Sequence, residues 1–143
     1  MSQQVVVLLL GSNLGDRKKN IENALFLIEE SIGNIKFKSN FYETFPIEFA
    51  SINNFINFAV VLNTHLSPIE LLNQIKKIEK KLGREQDSRE FGGYFDRLID
   101  IDIVSYGNLN YVSKSLILPH QGHLKREFSI EILKNLNEIK HKL

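Results

Sequence analysis

Six apolar residues in succession, Val5 to Leu10, constrain this chain more than any other segment. The run is far too short to span a bilayer. Its valines favour extended backbone, and both faces of the extended form are apolar, so it reads as a buried strand. Gly11-Ser12-Asn13 breaks it. Asp16 then supplies an N-cap for a helix carrying Ile21, Ala24, Leu25, Ile28 and Ile32. Those positions follow the spacing of one buried helical face, and Gly33 reads as the helix stop.

Ile35, Phe37, Ser39 and Phe41 alternate with polar residues, as on a half-buried strand. After a loop around Phe45-Pro46, the alternation of Ile56, Phe58, Val60 and Leu62 predicts another strand. Ser67-Pro68-Ile69-Glu70 is a helix start with Ser at the N-cap, Pro at N1 and Glu at N3. Leu71, Ile75, Ile78 and Leu82 form the stripe that helix buries, and Gly83 ends it. Arg84 to Asp96 lacks a period and reads as a long loop. Leu98 to Tyr106 reads as a strand, with Gly107-Asn108 turning Leu109–Val112 back on it as a hairpin. A short apolar run, Leu116–Leu118, ends at Pro119, and a final helix is expected over His123 to Leu136. The order βαββαβ predicts an α+β, ferredoxin-like sandwich: a mostly antiparallel sheet with helices packed on it, plus C-terminal additions. With no linker or repeat, residues 1–143 form one expected domain.

Composition removes several chemistries. No cysteine is present, so disulfides, thiolate catalysis and Cys-ligated zinc are excluded. A net charge of +1 does not favour a general nucleic-acid or membrane-surface binder. No signal-peptide pattern opens the chain, so a cytoplasmic location is expected.

Chemistry concentrates in Leu98-Ile99-Asp100-Ile101-Asp102-Ile103-Val104. On a strand, Asp100 and Asp102 project side by side while the isoleucines pack behind them. Two like charges at that spacing repel unless a cation sits between them, and oxygen ligands suit Mg²⁺ or Mn²⁺. A solvated strand face gives the same alternation, but aspartate is a poor strand former and two in one run cost stability. Arg84, Arg89, Arg97 and Arg126 are candidates for polyphosphate, since guanidinium groups grip phosphate oxygens with paired hydrogen bonds. The acids among them also allow ordinary surface pairing. His120, after Pro119, is a candidate phosphate donor or an ordinary loop histidine. Phe55 and Asn57 share a strand face, where a ring can stack a flat heterocycle and an amide can read its edge, with Phe128 as the other slice. A different acceptor on the same scaffold, or a ferredoxin-like RNA-binding module, remain alternatives; the latter needs a basic sheet face.

The segments Leu9-Leu10-Gly11-Ser12-Asn13-Leu14-Gly15-Asp16-Arg17, Phe41-Tyr42-Glu43-Thr44, Phe55-Ile56-Asn57, Ile78-Glu79, Gly83-Arg84, Arg97 to Ile103, and Pro119-His120 followed by Arg126 and Phe128 occur in one order. Together they resemble the 6-hydroxymethyl-7,8-dihydropterin pyrophosphokinases of folate biosynthesis. The resemblance implies an ATP-dependent, Mg²⁺-dependent diphosphotransferase that releases AMP. It implies that Asp100 and Asp102 bind two Mg²⁺ ions, and that Arg84 and Arg97 act with them in catalysis. Glu79, Arg84, Arg97, His120 and Arg126 are then expected at ATP. Thr44, Phe45, Ile47, Phe55, Asn57 and Phe128 are expected at the pterin. The implied partners are those two small molecules alone, without nucleic acid or membrane, and the chain is expected to be a monomer. Two departures stand out. Phe91-Gly92-Gly93-Tyr94-Phe95-Asp96-Arg97 is longer than the family's aromatic-Gly-Pro-Arg segment and lacks its proline, and Gln121 replaces a common aromatic.

Overall fold

The computed structural model describes residues 3–44, 54–83 and 98–142. Strand β1 (Gln4–Ser12) lies between β4 (Phe55–Thr64) and β5 (Asp100–Tyr106), antiparallel to both. Strands β2 (Gly33–Lys38) and β3 (Tyr42–Thr44) share the far edge of β4, one pairing near each end of it. The order β2-β4-β1-β5, with all these pairs antiparallel, is the α+β sandwich that the element order predicts.

Helices α1 (Arg17–Ser31) and α2 (Pro68–Lys81) cover one sheet face. Ile21, Ala24 and Ile28 of α1 and Leu71, Ile75 and Ile78 of α2 pack there on Leu8, Leu10, Val60 and Ile101. Helix α3 (Glu127–Lys142) covers the other face, setting Ile132 and Leu136 against Leu9, Ala59, Val61 and Val104. Cover on both sides is why β1 and β4 are apolar throughout their middles. Each fully buried leucine or isoleucine contributes about 1.5–3 kcal/mol of transfer free energy. The caps follow the sequence: Asp16 accepts from the Lys19 N–H, and Ser67 and Glu70 form a reciprocal capping box. No helix among the described residues is long and apolar enough to cross a membrane.

Four local features depart from expectation. The strand read from Ile35 to Phe41 splits at Ser39, whose hydroxyl accepts from the Ala59 N–H at 2.9 Å and donates to the Asn40 carbonyl at 2.8 Å. Leu109–Val112 does not pair back on β5. Tyr111-Val112 (β6) instead pairs with Ile117-Leu118 (β7), around a turn in which the Ser113 hydroxyl accepts from the Leu116 N–H. The last helix begins at Glu127 rather than His123 and runs on to Lys142, because 121–125 form a tight turn in which Lys125 and Arg126 both donate to the Gly122 carbonyl. Gly33 opens β2 and has no positive φ, unlike Gly83, which follows α2 at φ 107°. A glycine is needed at 33 for space: a Cβ there would lie 1.9 Å from the Asn63 carbonyl oxygen.

Because the obstructing atom at Gly33 is backbone, Gly33→Ala is expected to lower the unfolding free energy by about 1–3 kcal/mol. Urea denaturation measures it; an unchanged midpoint contradicts the packing.

Candidate active site

The site is built from the register of three strands. Leu9 pairs with Ala59 on one side and Asp102 on the other; two residues on, Gly11 pairs with Asn57 and Asp100. Side chains two apart on a strand share a face, so Asn57, Gly11, Asp100 and Asp102 belong to the face covered by α3. Gly11 leaves bare backbone between an amide and a carboxylate. A Cβ placed there would sit 3.2 Å from Asn57 Oδ1 and 3.4 Å from the Phe55 ring. The break expected at Gly11 does not occur there, since β1 stays paired through Gly11 to Ser12; Gly11 also belongs to the first segment of the family resemblance.

Asn57 is buried and donates through Nδ2 to Thr44 Oγ1 at 2.7 Å. That fixes the amide and leaves its second N–H and its carbonyl for other partners. Thr44 and Phe128 line a cavity of about 330 Å³ together with Tyr42. The turn after β1 is tied down by Asn20, whose Nδ2 donates to Ser12 Oγ at 3.1 Å and to the Leu14 carbonyl at 2.7 Å. Arg17, at the start of α1, donates at 2.8 Å to both Glu43 Oε2 and the Asn54 carbonyl. It thus ties together the two ends of the 45–53 segment, a role not read from the sequence. The Arg17 contact also holds the Glu43 carboxyl below its usual range.

Asp100 and Asp102 are half-buried on β5, with buried Ile101 between them facing the opposite way. On that opposite side Glu79 accepts from the Ile101 N–H at 2.8 Å, so α2 grips β5 directly behind the acids. In front, buried His123 brings Nε2 to 2.7 Å from Asp102 Oδ2 and Nδ1 to 2.7 Å from Ser129 Oγ. Neither His123 nor Ser129 was singled out in the sequence. The His120 N–H donates to the Val104 carbonyl at 2.8 Å, and its ring lies 4.3 Å from that of His123. Burial pushes the His120 imidazole below its ordinary value; the Asp102 charge opposes the shift, while His123 and Arg126 add to it. Arg126 is exposed on the turn just before α3. Asp102 and His120 edge a second cavity, about 380 Å³, with Leu72, Ile103 and Leu116 among its apolar walls.

The carboxylates of Asp100 and Asp102 share one sheet face as an all-oxygen donor pair, the chemistry a hard divalent ion takes. Asp102, His120 and His123 also place one ligand atom each within 4.8 Å of one another. Of the expected site residues, Asp100, Asp102, Asn57, Thr44, Phe55, Phe128, Glu79, His120 and Arg126 fall on or beside this side of the sheet and its α2 backing. Phe45, Ile47, Arg84 and Arg97 lie outside the described residues, as do Arg89, Phe91, Tyr94 and Phe95.

On a ferredoxin-like sandwich, paired strand carboxylates beside a fixed amide and two cavities make up a candidate small-molecule site whose oxygen donors suit a divalent ion. Residues 7–138 match the family model for 7,8-dihydro-6-hydroxymethylpterin-pyrophosphokinase (HPPK), and the chain belongs to that family. It is 42% identical over 125 residues to the 2-amino-4-hydroxy-6-hydroxymethyldihydropteridine pyrophosphokinase of Porphyromonas gingivalis, covering 87% of this chain and 84% of that one. It is 39% identical to the folate synthesis bifunctional protein of Arabidopsis thaliana over 92% of this chain, spanning only 26% of that longer protein. A crystal structure of an HPPK-DHPS in complex with substrates matches 95% of this chain and 40% of that one with a TM-score of 0.72 at 16% identity, a likeness of fold.

The His120 ring is expected to protonate below its ordinary value of 6.5, and Asp102→Asn is expected to lower its midpoint further, since that carboxylate's charge holds it up. The folded ring takes its proton at lower pH than the unfolded chain does. Its contribution to stability is therefore complete above the unfolded value and lost as pH falls through the folded one. An NMR titration reading His120 at or above its ordinary midpoint contradicts the burial.

Proposed function

We propose that this chain transfers pyrophosphate from ATP to the hydroxyl of 6-hydroxymethyl-7,8-dihydropterin, releasing AMP, as a step of folate biosynthesis. One observation carries the reading: the pairing of Gly11 with Asn57 on one side and Asp100 on the other. It brings an amide and a carboxylate to either side of a glycine, and we take the amide to read the edge of a heterocycle and the acid to bind metal. The flat ring is then stacked between Phe55 and Phe128. Asn57 bonds its edge, and Thr44, Phe45 and Ile47 line its surroundings.

The apolar cavity walled by Leu72, Ile103 and Leu116 suits an adenine. Glu79 belongs to the adenine side, where it also steadies β5 through the Ile101 N–H. His120 and Arg126 bind phosphate oxygens, with Arg84 and Arg97 as the further cations implied by the family. Asp100 and Asp102 hold two Mg²⁺ ions. When bound, Mg²⁺ neutralises phosphate charge and acidifies the attacking hydroxyl. The pterin oxygen bonds to the β-phosphorus in line, the bond from that phosphorus to the oxygen bridging the α-phosphorus breaks, and AMP leaves with that oxygen. The hydroxyl proton passes to solvent. Arg84 and Arg97 stabilise charge on the transferred group and on the departing AMP. The chain acts on these two small molecules as a monomer.

Mixing the protein with MgATP and the reduced hydroxymethyl pterin is expected to yield AMP, with no ADP. Asp100→Asn is expected to cut turnover at least about 100-fold, the scale of losing one electrostatic stabiliser, with circular dichroism unchanged. ADP as product, or a near-normal rate in the variant, defeats the reading.

A further inference from the structure

His123 is the most buried titratable side chain among the described residues, and both of its ring nitrogens are engaged. Nδ1 meets the fully buried Ser129 hydroxyl, and Nε2 meets Asp102 Oδ2, each at 2.7 Å. The environment fixes the proton. With a carboxylate facing Nε2, that nitrogen carries the hydrogen, because a lone pair there would meet the negative oxygen. Ser129 then donates to Nδ1 when the ring is neutral and accepts from it when the ring is charged. In both states Nε2–H points at Oδ2.

Two roles for the imidazole compete, ligand or support. Asp102, His120 and His123 meet the proximity needed for a shared ion. Spacing decides between them. Two ligands of a tetrahedral zinc, each about 2.0–2.1 Å from the metal, lie ~3.3 Å apart. Nε2 and Oδ2 are 2.7 Å apart, the length of a charge-assisted hydrogen bond. The ring therefore sits behind the acid, as a support.

We infer that His123 is a positioning residue for the metal-binding carboxylate: Ser129 fixes the ring, the ring fixes Asp102 Oδ2, and the rotation of the whole carboxylate is set before any ion arrives. The inference rests on the metal role of Asp102 proposed above. The location gives the bond its effect. Asp102 keeps about a third of its side chain exposed, whereas His123 keeps 3%. One carboxylate oxygen is thus held from the protein interior while the group as a whole faces the cavity it shares with His120. A hydrogen bond that fixes one carboxylate oxygen lessens the ordering that ion binding must supply.

The test titrates Mn²⁺ into the full chain with α,β-methylene ATP, which the transfer cannot cleave, using electron paramagnetic resonance or calorimetry. His123→Leu is expected to weaken Mn²⁺ binding about 10–100-fold, the usual scale for losing a ligand's supporting partner. Ser129→Ala is expected to weaken it less. His123→Gln keeps an N–H donor near the position of Nε2 and is expected to recover most of the affinity. Equal Mn²⁺ affinity in wild type and His123→Leu overturns the inference, as does a His123→Gln variant no better than His123→Leu. Zn²⁺ bound without nucleotide and lost in His123→Leu also overturns it, by making the ring a ligand. If His123→Leu fails to fold, His123→Gln and Ser129→Ala decide: Mn²⁺ affinity ordered wild type, glutamine, alanine supports the role, and no difference refutes it. Because nothing turns over in the titration, a wild type that makes no AMP defeats the proposed reaction and leaves this result standing.

Discussion

The structure depends on a single antiparallel ladder, β1 held between β4 and β5. Hydrophobic burial decides that β1 lies in the middle, because only a strand covered from both sides can be apolar on both faces. Once it is there, register does the rest. Leu9 is spent on the core beneath α3, and Gly11, two residues on, falls between Asn57 and Asp100. A slip of one residue would turn Leu8 and Leu10 to the α3 face and destroy both the core and the row of site residues. The free energy that holds the fold therefore also holds the site in alignment.

Two acids on one strand work against that stability. The fold offsets the cost with partners rather than by exposing the strand. Glu79 holds the Ile101 backbone from the α2 side, and His123 holds Asp102 from the α3 side. The register shift at Val104 completes the accommodation. It lets Val104 pack under α3 while Tyr106 returns to the opposite core, where its hydroxyl donates to the Leu66 carbonyl at 2.6 Å. The acids thus lie on a strand segment fixed on both sides of the sheet and anchored beyond the bulge.

What the sequence carried was periodicity and caps. The α1 and α2 stripes, the Ser67–Glu70 capping box and the common face of Asp100 and Asp102 all follow from spacings within one element, and the structure has them. What it hid depends on partners far along the chain. Ser39 ends a strand because Ala59 stands opposite, and Gly33 is needed because the Asn63 carbonyl passes close by. Gln121 to Lys125 stay out of α3, and His123 in that turn lies against Asp102. A histidine expected at the start of the last helix gives no sign of a partner on β5, so the burial of His123 against Asp102 was hidden. Arg17 was visible only as part of a motif, since its two acceptors, the Glu43 carboxylate and the Asn54 carbonyl, lie 26 and 37 residues along the chain.

Strand spacing also acts as a ruler between the two halves of the proposed reaction. Neighbouring strands lie ~4.8 Å apart, so Asn57 and Asp100, separated by β1, are held ~9.6 Å apart at their backbones. That gap can change only if ladder hydrogen bonds break. An amide that reads one edge of a flat ring and an acid that holds an ion at the ring's other end need such a fixed separation, because a shift of about 1 Å at the reacting atoms costs roughly 100-fold in rate. In the proposed reaction the distance between recognition and chemistry is assigned to the sheet. Gly11, which contributes no side chain, lets the Asn57 amide and the Phe55 ring close in over β1, where a Cβ would lie 3.2 and 3.4 Å from them.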